Sequence, residues 1–192
     1  MKVLDKKFVI RKNSIAYVMA EKNVMQNFKH PFIVGLNFCF QSYDYIYLVM
    51  TLCKGGNMQE TLDSLKGHIL QEEIAKMYAA EVLLALECLH DRYIIYRDLK
   101  PENIMLSENG HIKITDFGLS KETLKDGDKS KEFCGTLCYM APEIIRGEGY
   151  SSSVDWYNFG TLIYTMLQGD APFIDVDKNA TFRNILHAPI KF

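Results

Sequence analysis

The stretch Ile94–Leu106, IIYRDLKPENIML, places Arg97, Asp98, Lys100 and Asn103 within seven residues between two apolar runs. Each run reads as a buried strand or a helix end, so the polar groups sit on a loop anchored at both sides. From Asn103 to Gly118 the chain runs NIMLSENGHIKITDFG and reads as two short strands joined by Asn109-Gly110, the strongest short-range hairpin signal. Upstream, LQEEIAKMYAAEVLLALECLHDR is the longest helical pattern, apolar on well over one face, which predicts a deep position. Downstream, SSSVDWYNFGTLIYTMLQG predicts a helix opened by serine caps and closed on Gly169. The loop is thus expected between core elements.

The first third has a different texture. MKVL reads as a short strand, and NSIAYVMAEKNVMQNF as a helix with Asn13 or Ser14 as cap and Ile15, Val18, Met19 and Met25 at helical spacing. HPFIVGLNFCFQ and YDYIYLVMTL, rich in aromatics and branched residues, predict two antiparallel strands. KGG breaks the chain, MQETLDSL predicts a short helix, and GLSKETLKDGDKSKEF predicts a polar loop. A strand-rich start and a mostly helical remainder define an α+β chain with a small lobe and a larger one.

Composition removes several classes. With 192 residues, 48% of them hydrophobic, the chain can build a core without staples. A net charge of −2 gives no basic field for nucleic acid or an anionic membrane. The five cysteines are scattered without a C-x-x-C pair, which reads as reduced thiols; Cys134 and Cys138 are expected to pack and not to ligate. MKVLDKKFVIRKN, interrupted by Asp5, Lys6 and Lys7, does not read as a signal peptide, and VDWYNFGTLIYTML contains Asp155 and is too short to span a bilayer.

The residue types around the loop suit one chemistry. Asp98, Asn103 and Asp116 offer hard oxygen donors of the kind that hold Mg²⁺ on phosphates. Lys100, two residues beyond Asp98, can act as a point charge on a phosphoryl group. Phosphoryl transfer asks a protein for little beyond positioning and such charges. Taken singly, each residue has a plainer reading: Arg97 with Asp98 as a surface ion pair worth at most ~1 kcal/mol, Asn103 and Asp116 as turn residues, Lys2 and Glu21 as solvated charges. Met25, Leu36 and Phe117 are core residues either way. Their joint occurrence in one order outweighs the separate readings.

That order is YRDLKPEN, TDFG and APE (Ala141–Glu143), and with it the chain resembles a eukaryotic protein kinase catalytic domain. Tyr96, FCGT and VDW make it similar to the AGC group; HPFIVGLNFCFQ, DFGLSKE and NILHAPI make it similar to serum- and glucocorticoid-regulated kinase and protein kinase B. The resemblance implies a two-lobe kinase-like fold, with 1–53 belonging to the small lobe and hinge and 54–192 to the large lobe. It implies ATP and Mg²⁺ as cofactors and Ser/Thr-bearing proteins as substrates, in the cytoplasm and also the nucleus. By the same resemblance Asp98 would orient the acceptor hydroxyl and take its proton, and Lys100 would steady the γ-phosphate. Asn103 and Asp116 would hold the metal, and Lys2 would grip the α- and β-phosphates with Glu21 as its partner. Thr51 and Cys53 would offer backbone groups to adenine beside Met50, with Met105 beneath the ring. Asp155 would bond the loop backbone, Thr136 would bridge Asp98 and Lys100, and Tyr96, Phe117, Met25 and Leu36 would stack in one column.

Three departures from the resemblance carry expectations of their own. A glycine-rich loop would precede Lys2 and further helices would follow Phe192, so the chain reads as a partial domain in which Glu143 lacks its arginine. Glu132 stands where relatives carry a phosphorylated threonine, and is expected to pair with Arg97 and Lys121. Glu102 is retained in the acceptor region, but Asn57, Thr165 and Cys138 stand where acidic residues are common, and Leu137 replaces a proline. An arginine-rich consensus is therefore not expected. The other readings are a non-catalytic pseudokinase or scaffold and, less favoured, a small-molecule phosphotransferase.

Overall fold

The computed structural model describes residues 1–123 and 128–192. Strands β1 (Lys2–Asp5), β2 (Leu36–Gln41) and β3 (Tyr45–Met50) form an antiparallel sheet in the order β1-β3-β2. Leu48 faces inward and is fully buried, whereas Val3, Phe38, Phe40 and Tyr45 are exposed. Asp5 ends β1 and caps helix α1 (Lys6–Arg11), its Oδ1 accepting from the Phe8 amide at 2.8 Å. This helix has no counterpart in the sequence pattern because six residues are too few to show a period. Helix α2 (Ile15–Asn27) begins at Ser14 as expected, but that hydroxyl donates to the Val9 carbonyl at 3.2 Å and does not cap. Helix α2 turns Glu21, Val24 and Met25 toward the core.

A short connection leads to α3 (Met58–Ser64). Asn57 closes a capping box there, accepting from the Glu60 amide at 2.9 Å while Glu60 accepts from the Asn57 amide at 3.1 Å. Helix α4 (Glu72–His90) buries Ala75, Val82, Ala85, Leu86 and Leu89. The expected depth holds for one face only, since Ile74, Met77, Leu83 and Leu84 are exposed. Hydrophobic residues all round a helix are thus no guarantee of all-round burial.

Beyond α4 come β4 (Ile94–Ile95), β5 (Ile104–Leu106), β6 (Ile112–Ile114) and β7 (Lys121–Glu122). They form two antiparallel pairs, β4 with β7 and β5 with β6. The β5–β6 hairpin is the one expected at Asn109-Gly110. Only Gly110 takes a positive φ (82°), and the loop is a five-residue one closed by the Ser107 amide on the His111 carbonyl at 2.8 Å. The expected polar loop contains β7, paired with residues far upstream and so without local signal; its positions 124–127 lie outside the described residues. Helices α5 (Pro142–Ile145), α6 (Ser153–Gln168) and α7 (Lys178–His187) complete the chain. Gly169 closes α6 at φ 93°, as the sequence indicated, while its serines make no side-chain cap. Leu162 and Met166 of α6 join the α4 core, and Ile95, Met140, Ile144, Tyr150 and Val154 form a second cluster beneath the loop after β4. No helix among the described residues is long and apolar enough to cross a membrane.

Candidate active site

The loop between β4 and β5 is gripped from below. Asp155, in the first turn of α6 and fully buried, accepts from the Tyr96 and Arg97 amides at 2.8 Å each and lies 2.7 Å from His90 Nε2. A buried carboxylate is retained only where such partners replace its water. The grip holds Arg97 in the left-handed region at φ 71°, uncommon for a residue with a side chain. Tyr96 is buried, its hydroxyl donating to the Thr115 carbonyl at 2.6 Å and its ring meeting Phe117 edge-on at 5.5 Å. Met25 lies in the same buried cluster, with Leu36 packed against it.

Above the grip, Asp98 is enclosed by its own loop and by a distant segment. Its Oδ1 accepts from Thr136 Oγ1 at 2.7 Å, and its Oδ2 pairs with Lys100 Nζ and accepts from Asn103 Nδ2, both at 2.9 Å. Lys100 also donates to Thr136 Oγ1 at 2.7 Å, so the threonine bridges the two as the resemblance implied. The plainer reading of Arg97 and Asp98 as a surface ion pair is corrected here. Both are buried, and each has separate partners.

A second group of side chains gathers at the sheet. Lys2 Nζ lies 2.7 and 2.9 Å from the Glu21 carboxylate oxygens and 3.4 Å from Asp116 Oδ1. Burial opposes charge on Lys2, yet the two carboxylates outweigh it and raise its pKa above the ordinary lysine value. For Glu21 burial is the larger influence and pushes its carboxyl up, against the pull of Lys2. Asp116 sits at φ 55° with a half-exposed side chain. The amide of Thr115, its neighbour, donates to the Asn103 carbonyl at 3.0 Å, which brings Asp116 and Asn103 to one place.

Met50 ends β3 half-buried. The Thr51 amide donates to the Gly35 carbonyl at 2.9 Å, while the Thr51 carbonyl and the Cys53 amide make no hydrogen bond among the described residues. Gly55 and Gly56 clip this connection to β5 through reciprocal bonds with Leu106 at 2.9 Å, with Met105 next in the strand. The approach needs glycine, because a Cβ at Gly55 would lie 2.8 Å from Leu106 Cβ. Burial pushes the Cys53 thiol up.

Glu132 does pair with Arg97 and Lys121: its Oε2 lies 2.9 Å from Arg97 Nη1 and its Oε1 2.6 Å from Lys121 Nζ. The hydrogen bond from Lys121, and then that from Arg97, lowers the Glu132 pKa. Ser130, Tyr150 and His90 complete these networks. Sequence reasoning missed all three, being single residues whose partners lie far along the chain. Glu143 is half-buried and makes no ion pair among the described residues. Of the acceptor-side positions, Glu102 is exposed, Asn57 is engaged in its cap, and Leu137 and Cys138 are half-buried. Thr165 is buried, its hydroxyl bonded to the Thr161 carbonyl at 2.9 Å.

Lys2 of the small sheet thus meets Glu21 of α2 and Asp116 after β6, while the buried Asp98 loop stands on Asp155 of α6. The protein kinase domain family matches residues 1–191. Over its whole length the chain is 44% identical to a RAC family serine/threonine-protein kinase homolog of Dictyostelium discoideum, of which it covers 43%. It is 43% identical to a RAC-beta serine/threonine-protein kinase of Homo sapiens, covering 40%, and 43% identical to the serine/threonine protein kinase ypkA of Aspergillus fumigatus, covering 30%. The chain belongs to the protein kinase domain family, with relatives of the AGC group, and spans less than half the length of these curated relatives.

Proposed function

We propose that this chain is the catalytic part of a serine/threonine protein kinase that moves the γ-phosphoryl group of ATP, with Mg²⁺, to hydroxyls of protein substrates. The triangle of Asp98, Lys100 and Thr136 carries this reading, because it joins the loop to the segment a substrate would lie on. Asp98, fixed by three donors, orients the acceptor hydroxyl and takes its proton. Lys100 neutralises charge on the moving phosphoryl group. Lys2, aimed by Glu21, holds the α- and β-phosphates. The Thr51 carbonyl and Cys53 amide serve adenine, between Met50 and Met105.

The donors present fit Mg²⁺. Asp116 and Asn103 supply hard oxygens from adjoining positions, and among the described residues no three acidic, thiol or imidazole side chains form a closed cage. Magnesium keeps several waters and takes much of its coordination from phosphates, so two protein ligands suffice. When bound, the metal neutralises the phosphate oxygens and leaves the terminal phosphorus open to attack. Asp155 and Arg97 keep the loop in place, and the division at 53 separates the sheet that carries Lys2 from the body that carries Asp98. Glu143 belongs to the structural support of the segment ending at APE. Five free cysteines support a reducing compartment, cytoplasm or nucleus.

The test is transfer of labelled phosphate from ATP to a basic acceptor protein and to the chain itself. Labelling that disappears with Asp98→Asn supports the reading. Tight binding of ATP with Mg²⁺ and no labelled polypeptide leaves a nucleotide-binding scaffold instead.

A further inference from the structure

Helix α1 carries charge of one sign. Lys6, Lys7, Arg11 and Lys12 stand close together, with no carboxylate among them. The net charge of −2 hides this local excess, because the acids lie elsewhere in the chain. Asp5, just before the helix, is occupied in accepting from the Phe8 amide. Lys7, Arg11 and Lys12 are exposed and make no ion pair among the described residues. They surround apolar groups instead: Phe8 is 50% exposed and Ile10 65% exposed. The Arg11 guanidinium lies 5.6 Å and the Lys12 ammonium 5.9 Å from the centre of the Phe8 ring, close enough for attraction to its face.

The start of α1 is fastened to the turn between β2 and β3. The Lys6 amide donates to the Asp44 carbonyl at 2.8 Å, and Lys6 Nζ to the Ser42 carbonyl at 2.7 Å. Between those two acceptors Tyr43 is 92% exposed, so its ring rests in no groove of the fold. On the adjoining strands Phe40 and Tyr45 are exposed as well, with Phe40 stacked on Tyr47 at 4.9 Å. Protruding rings mixed with lysine and arginine heads suit a bilayer interface, where rings sit at headgroup depth and cations meet negative lipid. A folded acidic partner would instead need a shape that fixes a carboxylate opposite each cation.

We propose that α1 and the turn at Tyr43 form a surface that binds anionic phospholipid, lying on the membrane without spanning it. Phe8 and Tyr43 enter the headgroup layer, and Lys7, Arg11 and Lys12 meet its negative charge. The contact belongs to the small sheet and does not depend on the phosphotransfer reading.

The experiment is co-sedimentation of the full chain with two kinds of vesicle, phosphatidylcholine alone and phosphatidylcholine with phosphatidylserine at about three to one. Binding is expected to the second kind only, and to weaken as salt is raised. Replacing Lys7, Arg11 and Lys12 together by glutamine is expected to weaken it about 10²-fold, at about fivefold per cation. Phe8→Ser with Tyr43→Ser is expected to weaken it about tenfold and to leave the salt dependence in place. The same glutamine replacement at Lys66, Lys178 and Arg183, exposed cations of the large lobe, is expected to change nothing. All of these side chains are exposed, so the denaturant midpoint is expected to stay at the parent value. Parent chain that ignores the anionic vesicles, or binding lost equally with the large-lobe replacement, overturns the proposal. Soluble polyglutamate that binds the parent as tightly as the vesicles do, with the same loss in the α1 variant, overturns it in favour of an acidic protein partner.

Discussion

The two ends of the site are built differently. Asp98 and Asn103 are buried, with Lys100 and Thr136 half-buried against them, each Asp98 oxygen has a donor, and a fully buried carboxylate holds the backbone beneath. Around Lys2 and Asp116 the contacts bridge elements far apart in sequence, and both side chains are part exposed. Under the proposed function, the side that would take the acceptor hydroxyl is arranged before any ligand arrives. Under the same proposed function, the side that would take the nucleotide holds its charges in a network that phosphates and metal would re-form. Preorganisation belongs where a proton moves, and adaptable charge where a polyanion docks.

Four substitutions sharpen that contrast. Asp155→Ala leaves two buried amides without an acceptor and is expected to destabilise the fold by about 3 kcal/mol or more, read as a lower denaturant midpoint. Asp98→Asn is expected to lower transfer about 10²-fold or more while moving that midpoint far less. Equal effects on stability from these two would erase the distinction between support and chemistry. Lys2→Met is expected to weaken ATP binding about tenfold, roughly 1.4 kcal/mol, by titration calorimetry, with the loop around Asp98 unchanged in amide exchange. Asn57→Ala removes the cap of α3 and is expected to cost about 1 kcal/mol of stability with no change in transfer.

A pH series separates the ends further. The Lys2 pKa is raised on folding, so its contribution is complete below the ordinary lysine value of 10.5 and is lost as pH rises through the folded value. Glu132 shows the opposite sign: its contribution is present above 4.5 and fades as pH falls through its lowered folded value. Denaturation of the parent and Glu132→Gln between pH 3 and pH 7, on the order of one pH unit apart, should converge at the acid end.

How much of this was readable in the residues depended on distance along the chain. The loop with Asp98, Lys100 and Asn103, the hairpin and the helix closed by Gly169 are local patterns, and their spacing alone set them out. Lys2 with Glu21 needed the family resemblance, because neither residue is conspicuous by itself. The His90–Asp155 contact and the Ser130–Tyr150 bridge join residues without periodic signature and were invisible until the chain was folded. Helix α4 misled in degree, since hydrophobicity on several faces says which sides can be covered and not which are.

The backbone twist at Arg97 has one more result. Two consecutive side chains are sent to opposite tasks, the guanidinium toward Leu119 and Glu132 and the next carboxylate toward Thr136. Any replacement at position 97 must both tolerate a left-handed turn and reach a distant partner, a pair of demands that glycine meets only in the first half and lysine only in part. A saturation library at this single codon should therefore return almost nothing but arginine.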